Sequence, residues 1–270
     1  MIPFVLIWGG GEMASGVAFR LHRVGIKILV VETYQPLAVR RTVSFAQAVY
    51  DGDVLVEDIK GTLISTLSQA QDCWEREVVP LIVDPNLTLL DDLRPLVLID
   101  ARMRKIRGTL PLEIAELIIG LGPGFIAGDN CHAAIETNRG HALGRVYWDA
   151  EPQADTGVPG KVGDYTGERV FHAQEDGEVE AFVAIGDQVN AGDLILRVGN
   201  QEMFSPFLGV VRGLIHPGLY VKKGTKVGDI DPRPETFRCW TVSEKTLAIG
   251  GGVLEAILTR SEIRRQIWSL

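Results

Sequence analysis

FVLIWGGGEMA, residues 4–14, is the stretch of this sequence that decides the fold. Its first five apolar residues predict a buried strand, its three glycines a tight turn, and the small and apolar residues that continue to Val24 a helix. Gly25 then ends the helix, and a second β-branched run, residues 28–31, ends in Glu32. The segment is therefore predicted to be one β-α-β unit with parallel strands, because a helical crossover joins strands of the same direction.

The glycines of this turn match the pattern with which β-α-β units bind a diphosphate. Gly9 permits the turn, Gly11 lets the backbone approach the ligand, and Ala14 lets the helix pack closely on the sheet. The free amides and the dipole at the helix start favour an anion, and Glu32 lies where it could accept hydrogen bonds from a ribose diol. Glu12 counts against a bare diphosphate, because a carboxylate at the helix start repels it unless it points away or meets a cation. The alternative is that the glycines only turn a tight corner.

The rest of the first half repeats this alternation of strands and helices. Further apolar runs lie at 81–83, 96–99 and 117–121, with helical patterns around 65–77 and 112–117. A sheet covered by helices on both faces is the economical way to bury such runs. The sequence thus predicts an α/β fold whose first domain, 1–165, is a Rossmann-like parallel sheet.

A different pattern follows, of short β-type runs separated by glycine turns. Residues 177–194 and 209–227 resemble each other, which indicates an internal duplication of about 30 residues. The duplicated pattern resembles the small biotinyl/lipoyl barrel-sandwich fold and predicts such a β domain at 166–235. The joining hairpin, 198–204, has no lysine to carry a prosthetic group, so the carrier function is expected to be lost. Residues 236–270 are predicted to be a C-terminal helical tail.

Composition excludes several classes of protein. A net charge of −8 argues against binding to nucleic acid or to anionic lipid, which needs clustered Lys and Arg. No apolar run approaches the roughly 20 residues that cross a bilayer, and no membrane partner is expected. The three separated cysteines, Cys73, Cys131 and Cys239, exclude a disulfide framework and a C-x-x-C zinc site. The protein is therefore predicted to be cytoplasmic.

Three further groups of residues carry chemistry that could bind a ligand. Arg40 and Arg41 follow Glu32 and could bind phosphate bidentately, although paired arginines are also typical of solvated surface. The pair Asp100 and Arg102 ends an apolar run, where α/β sheets bind ligands, although it also suits a structural ion pair.

The third group lies in the loops that follow residue 121. Gly122 and Gly124 begin a loop that leads to Cys131 and His132, and Arg139 comes after it. Cys131 and His132 are candidate ligands for a metal, or an ordinary packed thiol beside an ordinary histidine. No catalytic residue is marked by a motif, so whether the protein is an enzyme stays open. The candidate cofactor-binding residues are Gly9, Gly10, Gly11, Glu12, Glu32, Arg40, Arg41, Asp100, Arg102, Gly122, Gly124 and Arg139.

Taken in order, several segments resemble one protein family. They are 9–13, 36–43, 46–52, 100–102, 122–128, 135–143, 156–160, 212–214, 229–233 and 250–256. The chain resembles the selenium-dependent molybdenum hydroxylase maturation proteins of the YqeB/EqbB family, distant relatives of the XdhC-type accessory factors. The resemblance implies binding of the molybdenum cofactor, as molybdopterin or its dinucleotide, and help with its selenation or insertion.

The partners that this resemblance implies are a molybdenum hydroxylase apoenzyme and other cofactor-maturation proteins, and a homodimer is compatible with it. A glycine turn suits the phosphate or dinucleotide tail of such a cofactor. Two alternatives stay open. One is an NAD-dependent oxidoreductase: Glu32 favours it, but this sequence has no Tyr-x-x-x-Lys pair for hydride transfer. The other is a ligand-free scaffold for maturation factors.

Overall fold

The computed structural model describes residues 2–107, 110–158 and 160–268. Pro159, which belongs to the 156–160 motif, lies outside them. The chain divides into two compact units, each built from separate segments of sequence. Unit 1 comprises Met1–Pro36, Ser44–Asp155 and Val242–Leu270, and unit 2 comprises Leu37–Val43 and Thr156–Thr241.

Unit 1 contains a nine-stranded sheet in the order β3-β4-β5-β2-β1-β6-β7-β8-β9. Its strands are β1 (Val5–Trp8), β2 (Ile28–Glu32), β3 (Asp53–Val56), β4 (Ile59–Leu63), β5 (Val79–Val83), β6 (Val97–Asp100), β7 (Leu117–Leu121), β8 (Ala133–Ile135) and β9 (Val146–Tyr147). The seven inner strands pair in parallel, and the edge strands β3 and β9 pair antiparallel to their neighbours. Apart from β4, the inner strands are almost fully buried, because both faces of the sheet carry an apolar core.

The helices of unit 1 are few and mostly short. They are α1 (Glu12–Arg23), α2 (Ala48–Asp51), α3 (Ser68–Glu75), α4 (Leu90–Leu93), α5 (Glu244–Thr259) and α6 (Ser261–Trp268), with 3₁₀ turns at Phe45–Gln47 and Leu112–Ile114. Helix α5 packs along α1. Glycines make this approach close: a Cβ on Gly16 would lie 2.4 Å from the Thr246 Cβ, and one on Gly250 would lie 2.8 Å from the Gly16 oxygen.

Unit 2 consists of two four-stranded antiparallel sheets, β10-β17-β15-β12 and β14-β13-β11-β16. Their strands are β10 (Val170–His172), β11 (Gly177–Ala181), β12 (Gln188–Val189), β13 (Leu194–Val198), β14 (Gln201–Phe204), β15 (Gly209–Leu214), β16 (Tyr220–Val221) and β17 (Lys226–Asp231). Two 3₁₀ turns, Arg41–Val43 and Thr236–Cys239, complete the unit. The backbone amide of Leu214 donates to the carbonyl of Val39 at 2.8 Å, which joins segment 37–43 to this unit.

The predicted fold class, a Rossmann-like parallel sheet followed by a barrel-sandwich domain and a C-terminal helix, is wrong. The large sheet is mixed, because its two edge strands run antiparallel to their neighbours: β3, in a hairpin with β4 that the sequence did not predict, and β9. The helical pattern at 112–117 forms only the 3₁₀ turn before β7, so helices are fewer than the alternation indicated. In the described part of unit 2 the antiparallel sheets show no barrel-sandwich domain.

Across the three described ranges, every helix is either too short or too polar to cross a bilayer.

Candidate functional site

The candidate site lies at the carboxyl ends of the parallel strands, where open sheets bind ligands. Strands β1 and β6 are neighbours, and Trp8 at the end of β1 pairs with Asp100 at the end of β6. The turn after β1 therefore lies beside the chain that leaves β6. A Cβ on Gly9 would lie 3.3 Å from the backbone nitrogen of Arg102, and its φ of +102° is also one that favours glycine.

Gly10 is enclosed by protein groups. Its amide donates to Glu32 Oε1 at 2.9 Å, and its carbonyl accepts from the Ala46 amide at 2.8 Å and from Ser15 Oγ at 3.0 Å. The other carboxylate oxygen of Glu32 accepts from the Thr33 amide at 2.5 Å. The Glu32 carboxylate thus orders the glycine turn from within the protein, whereas the sequence pattern assigned it to a ribose.

Gly11 is the open position of the turn. It is the N-cap of α1 with a φ of −68°, and a Cβ there would meet no atom within 4 Å. The next residue, Glu12, accepts at Oε1 from Ser243 Oγ at 3.3 Å, and Ser243 is the N-cap of α5. The Glu12 carboxylate thus lies in the first turn of α1, where it adds negative charge close to the free helix start.

Arg102 is held in a fixed position by Asp100 and Trp8. Its Nε and Nη2 donate to the two oxygens of Asp100 at 2.9 and 2.5 Å, and its Cζ lies 3.1 Å from the centroid of the Trp8 ring. The Asp100 side chain is 1% exposed and that of Arg102 is 21% exposed. A bidentate fork and an aromatic face together restrict a guanidinium far more than a surface position would.

The glycines after β7 pack against the chain that follows Arg102. A Cβ on Gly122, φ +80°, would lie 2.5 Å from Thr137 Oγ1 and 3.5 Å from Met103 Cε, and one on Gly124, φ +94°, would lie 2.7 Å from the Ile106 oxygen. Met103 itself has a φ of +55°, which is uncommon and costly for a side chain of this kind. The structure therefore brings Gly122 and Gly124 against the residues that directly follow Arg102, Met103 among them.

Buried carboxylates at the same edge fix the neighbouring loops. Asp84 follows β5 and accepts from Thr88 Oγ1 and the Leu89 amide, and Glu136 follows β8 and accepts from the amides of Asn138 and Gln153. Sequence reasoning left both out of the site, although an acidic residue directly after an apolar strand is the same signal that selected Asp100.

Two of the predicted groups are engaged in structural contacts. Arg139 pairs with Glu244 at the start of α5, and its guanidinium lowers the pKa of that carboxyl. Arg40 and Arg41 belong to unit 2, where Arg40 Nη2 donates to the Arg238 carbonyl at 2.6 Å and Arg41 Nε to the Leu214 carbonyl at 2.7 Å. These two arginines are therefore in a different unit from the glycine turn that they follow in sequence.

Cys131 and His132 precede β8 and lie at its amino end, away from the carboxyl edge. His132 Nδ1 accepts from the Ile118 amide at 2.9 Å, and burial lowers the pKa of its ring, as does Arg260. Burial also raises the pKa of the Cys131 thiol to about 12, so the thiol is protonated at neutral pH. Among the residues that the structure describes, no group of three or more His, Cys, Asp or Glu side chains is arranged to hold a metal ion.

Comparison with known proteins gives one strong sequence likeness. The chain is 46% identical over 254 residues to the protein named "Uncharacterized protein YqeB" from Escherichia coli (strain K12), covering 94% of this chain and 47% of that protein. The chain thus spans about half the length of the curated relative that it matches. No family model matches it.

Solved structures give only weak likenesses. The product-bound ectoine utilization protein EutE (DoeB) from Ruegeria pomeroyi has a TM-score of 0.23 and 15% identity over 85% of this chain and 53% of that one. A succinylglutamate desuccinylase from Silicibacter sp. TM1040 has a TM-score of 0.24 and 14% identity over 85% of each chain. Scores this low support no conclusion about activity. The likeness that stands is in sequence: the predicted resemblance to YqeB is confirmed, over about half of that protein's length.

Proposed function

We propose that this chain is a maturation factor for a selenium-dependent molybdenum hydroxylase. It binds the molybdenum cofactor at the carboxyl edge of the large sheet and assists its selenation or its insertion into the apoenzyme. The apoenzyme and other cofactor-maturation proteins are its proposed partners. When bound, the cofactor supplies the molybdenum chemistry, and the residues of this chain hold and orient it.

One observation carries the proposal: Gly11, Arg102 and Gly122 all follow the carboxyl ends of three adjacent strands, β1, β6 and β7. Gly11 leaves the start of a 12-residue helix open, and Arg102 presents a fixed cation next to the same turn. A helix start and a guanidinium are both suited to the phosphate of a pterin cofactor. Residues 9–13, 100–102 and 122–128 are also among the segments that resemble the maturation family.

The residues fit the phosphate end of such a cofactor better than its metal. The Cys131 thiol is protonated at neutral pH because burial raises its pKa to about 12. We therefore assign no direct molybdenum or selenium ligand within the described residues, and we place the contact at the phosphate.

The test is a comparison of wild type with Gly11→Asp and Gly11→Asn, expressed in a host supplied with molybdenum and selenium. Either side chain fits the open position, and both are good N-caps, so both variants should fold. Only the aspartate adds a negative charge at the anion site. We expect native mass spectrometry and elemental analysis to find a molybdopterin species on wild type and Gly11→Asn, and its loss from Gly11→Asp.

Other outcomes of that experiment overturn the proposal. Recovery of NAD in place of a pterin would make the oxidoreductase the better hypothesis. A wild-type protein that carries neither would favour a ligand-free scaffold. Equal molybdopterin content in all three proteins would remove the glycine turn from the site.

A further inference from the structure

We infer that the ligand of this site presents a single phosphate group, which Arg102 binds, and that the glycine turn does not receive a dinucleotide diphosphate. This inference rests on the proposed function and narrows it. It favours molybdopterin itself, a phosphate monoester, over its dinucleotide form and over NAD.

The first argument is that the diphosphate contacts of the turn are already made within the protein. The Gly10 amide, which would face a diphosphate, donates to Glu32 Oε1 at 2.9 Å. The segment after residue 43 covers the same glycine, because a Cβ on Gly10 would lie 3.0 Å from the Ala46 nitrogen. Of the three glycines, Gly11 alone has open space around its Cβ position together with a φ that any residue adopts.

The second argument is electrostatic. A diphosphate at this turn would lie close to two carboxylates, Glu32 on the Gly10 amide and Glu12 in the first turn of the helix. Like charges at such short range repel, and the effect grows as water is excluded. A ribose diol would also have to compete for Glu32 with the amides of Gly10 and Thr33. Glu32, the residue that favoured a dinucleotide in the sequence, therefore opposes one in the structure.

The third argument is the state of Arg102. Within residues 2–107, 110–158 and 160–268, its side chain donates to Asp100 alone, through Nε and Nη2. The Nη1 group therefore keeps both of its N–H donors for a ligand, and the Arg102 side chain is 21% exposed. A guanidinium fixed by a carboxylate and by the face of Trp8 loses little freedom on binding an oxyanion.

Local backbone geometry keeps this cation in place. Arg102 lies between Gly9, where a Cβ would be only 3.3 Å from the Arg102 nitrogen, and Met103, which has a φ of +55°. Strained backbone of this kind persists where the surrounding structure fixes it, and such places are often ligand sites. Arg104, two residues on, is exposed, and no hydrogen bond or ion pair holds its side chain within the part of the chain that the structure describes, which makes it the matched control.

The test is isothermal titration of wild type with inorganic phosphate and, separately, with NAD. Asp100→Asn/Arg102→Gln removes both charges of the pair, so no buried carboxylate is left alone, and Arg104→Gln removes one exposed arginine nearby. We expect phosphate to bind wild type and Arg104→Gln equally, and the double variant to bind at least tenfold more weakly. NAD should not bind wild type. Equal phosphate affinity in all three proteins, or NAD binding that the double variant retains, overturns the inference.

A second measurement uses the unmodified chain and so does not depend on the folding of a variant. Phenylglyoxal modifies accessible arginines, and peptide mapping locates them. We expect phosphate to protect Arg102 from modification and to leave Arg104 reactive. If phosphate protects neither arginine, or both to the same degree, Arg102 is not the anion site.

The failure of this inference can be told from the failure of the proposed function. Phosphate binding that depends on Arg102, on a protein that never yields a molybdopterin species, supports the inference and rejects the function. A molybdopterin species that remains bound equally well in the Asp100→Asn/Arg102→Gln variant rejects the inference and leaves the function standing.

Discussion

Glu32 shows how one residue can satisfy a sequence motif and yet serve the protein itself. Its position after β2 is the one from which an acidic residue contacts a ribose. In the structure its two oxygens instead accept from the amides of Gly10 and Thr33. Gly10 is buried, so its amide needs an acceptor, and Glu32 supplies a charged one.

Removing this carboxylate should destabilise the fold. Glu32→Ala leaves the buried Gly10 amide without its acceptor, which costs about 1–3 kcal/mol in the free energy of unfolding. Glu32→Gln keeps one side-chain oxygen and should lose clearly less. Urea denaturation followed by circular dichroism measures both. An alanine variant as stable as wild type would mean that the carboxylate does not hold the turn.

The burial of Cys131 leads to a second prediction for single residues, about the reactivity of the thiols. Burial raises the pKa of its thiol to about 12 and also raises the pKa values of Cys73 and Cys239. The thiolate is the reactive form, so at mildly alkaline pH the native protein should react with Ellman's reagent far more slowly than the protein unfolded in guanidinium, which exposes all three thiols. Rapid native labelling, assigned to Cys131 by peptide mapping, would contradict this and restore the thiol as a candidate ligand.

At the scale of elements, three consecutive glycines in α5 are explained by close packing. Helix α5 continues unbroken through Gly250, Gly251 and Gly252. A Cβ on Gly252 would lie 2.1 Å from the Gly144 oxygen, whereas one on Gly251 would meet nothing within 4 Å. Two of the three glycines therefore let neighbouring backbone approach, and the middle one faces open space.

This arrangement predicts opposite effects for adjacent substitutions. Gly252→Ala should destabilise the protein by about 1–3 kcal/mol or more, because backbone must move to admit the methyl group. Gly251→Ala should stabilise it by about 1 kcal/mol through helix propensity alone. Thermal and urea unfolding of the two variants give the comparison. A stabilising Gly252→Ala would show that α5 does not approach Gly144 so closely.

The strands of the inner sheet were the elements most open to prediction. Continuous apolar runs located β1, β2, β6 and β7 to within a residue or two, because strands buried on both faces have few polar residues. Hairpin β3-β4 was missed since its exposed edge is polar, with Asp53 and Lys60 paired on the surface. Strand direction could not be predicted at the edges, because it depends on which strands pair rather than on the residues of one strand.

The site could be predicted only in part, from the same apolar runs that located the inner strands. Gly9, Asp100, Arg102 and Gly122 directly follow apolar runs, so parallel pairing places them at one edge. The roles of these residues depend on contacts between segments far apart in sequence, such as Gly9 against Arg102. Trp8 was predicted only as the end of a strand, and nothing in its local sequence indicated the guanidinium over its ring.

At the scale of the whole molecule, residues that are close in sequence can belong to different units. Arg40 and Arg41 stand near Glu32 in the chain, and the sequence grouped all three. Segment 37–43 instead belongs to unit 2, where it is held by the bonds from Leu214 to Val39 and from Arg41 to Leu214. These contacts link residues about 170 positions apart, a separation that no local pattern predicts.

Unit 2 contains a buried charge network that should control its acid stability. Asp229 is 1% exposed and pairs with Arg169 at 2.8 Å, Arg212 at 2.9 Å and Lys226 at 3.3 Å. Burial alone would raise the pKa of this carboxyl, but Arg212, Lys226 and Arg169 outweigh it, so the pKa lies below its ordinary value of 3.8. A β-bulge between Val211 and Gly213 interrupts the strand at Arg212, and bulges of this kind re-aim side chains.

The sign of the pH dependence follows from that lowered pKa. The folded state binds the Asp229 proton less readily than the unfolded state, so its stabilisation is complete above pH 3.8 and is lost as the pH falls through the folded value. In wild type, the urea concentration at the midpoint of unfolding of unit 2 should therefore be constant near neutral pH and fall steeply below pH 3.8. Asp229→Asn should be weaker by about 3–5 kcal/mol near neutral pH, because three cations lose a buried partner, and its stability should fall less steeply in acid. Urea denaturation across this pH range, followed by hydrogen exchange of β15 and β17, makes the measurement. Parallel acid profiles for the two proteins would show that Asp229 does not set the acid limit.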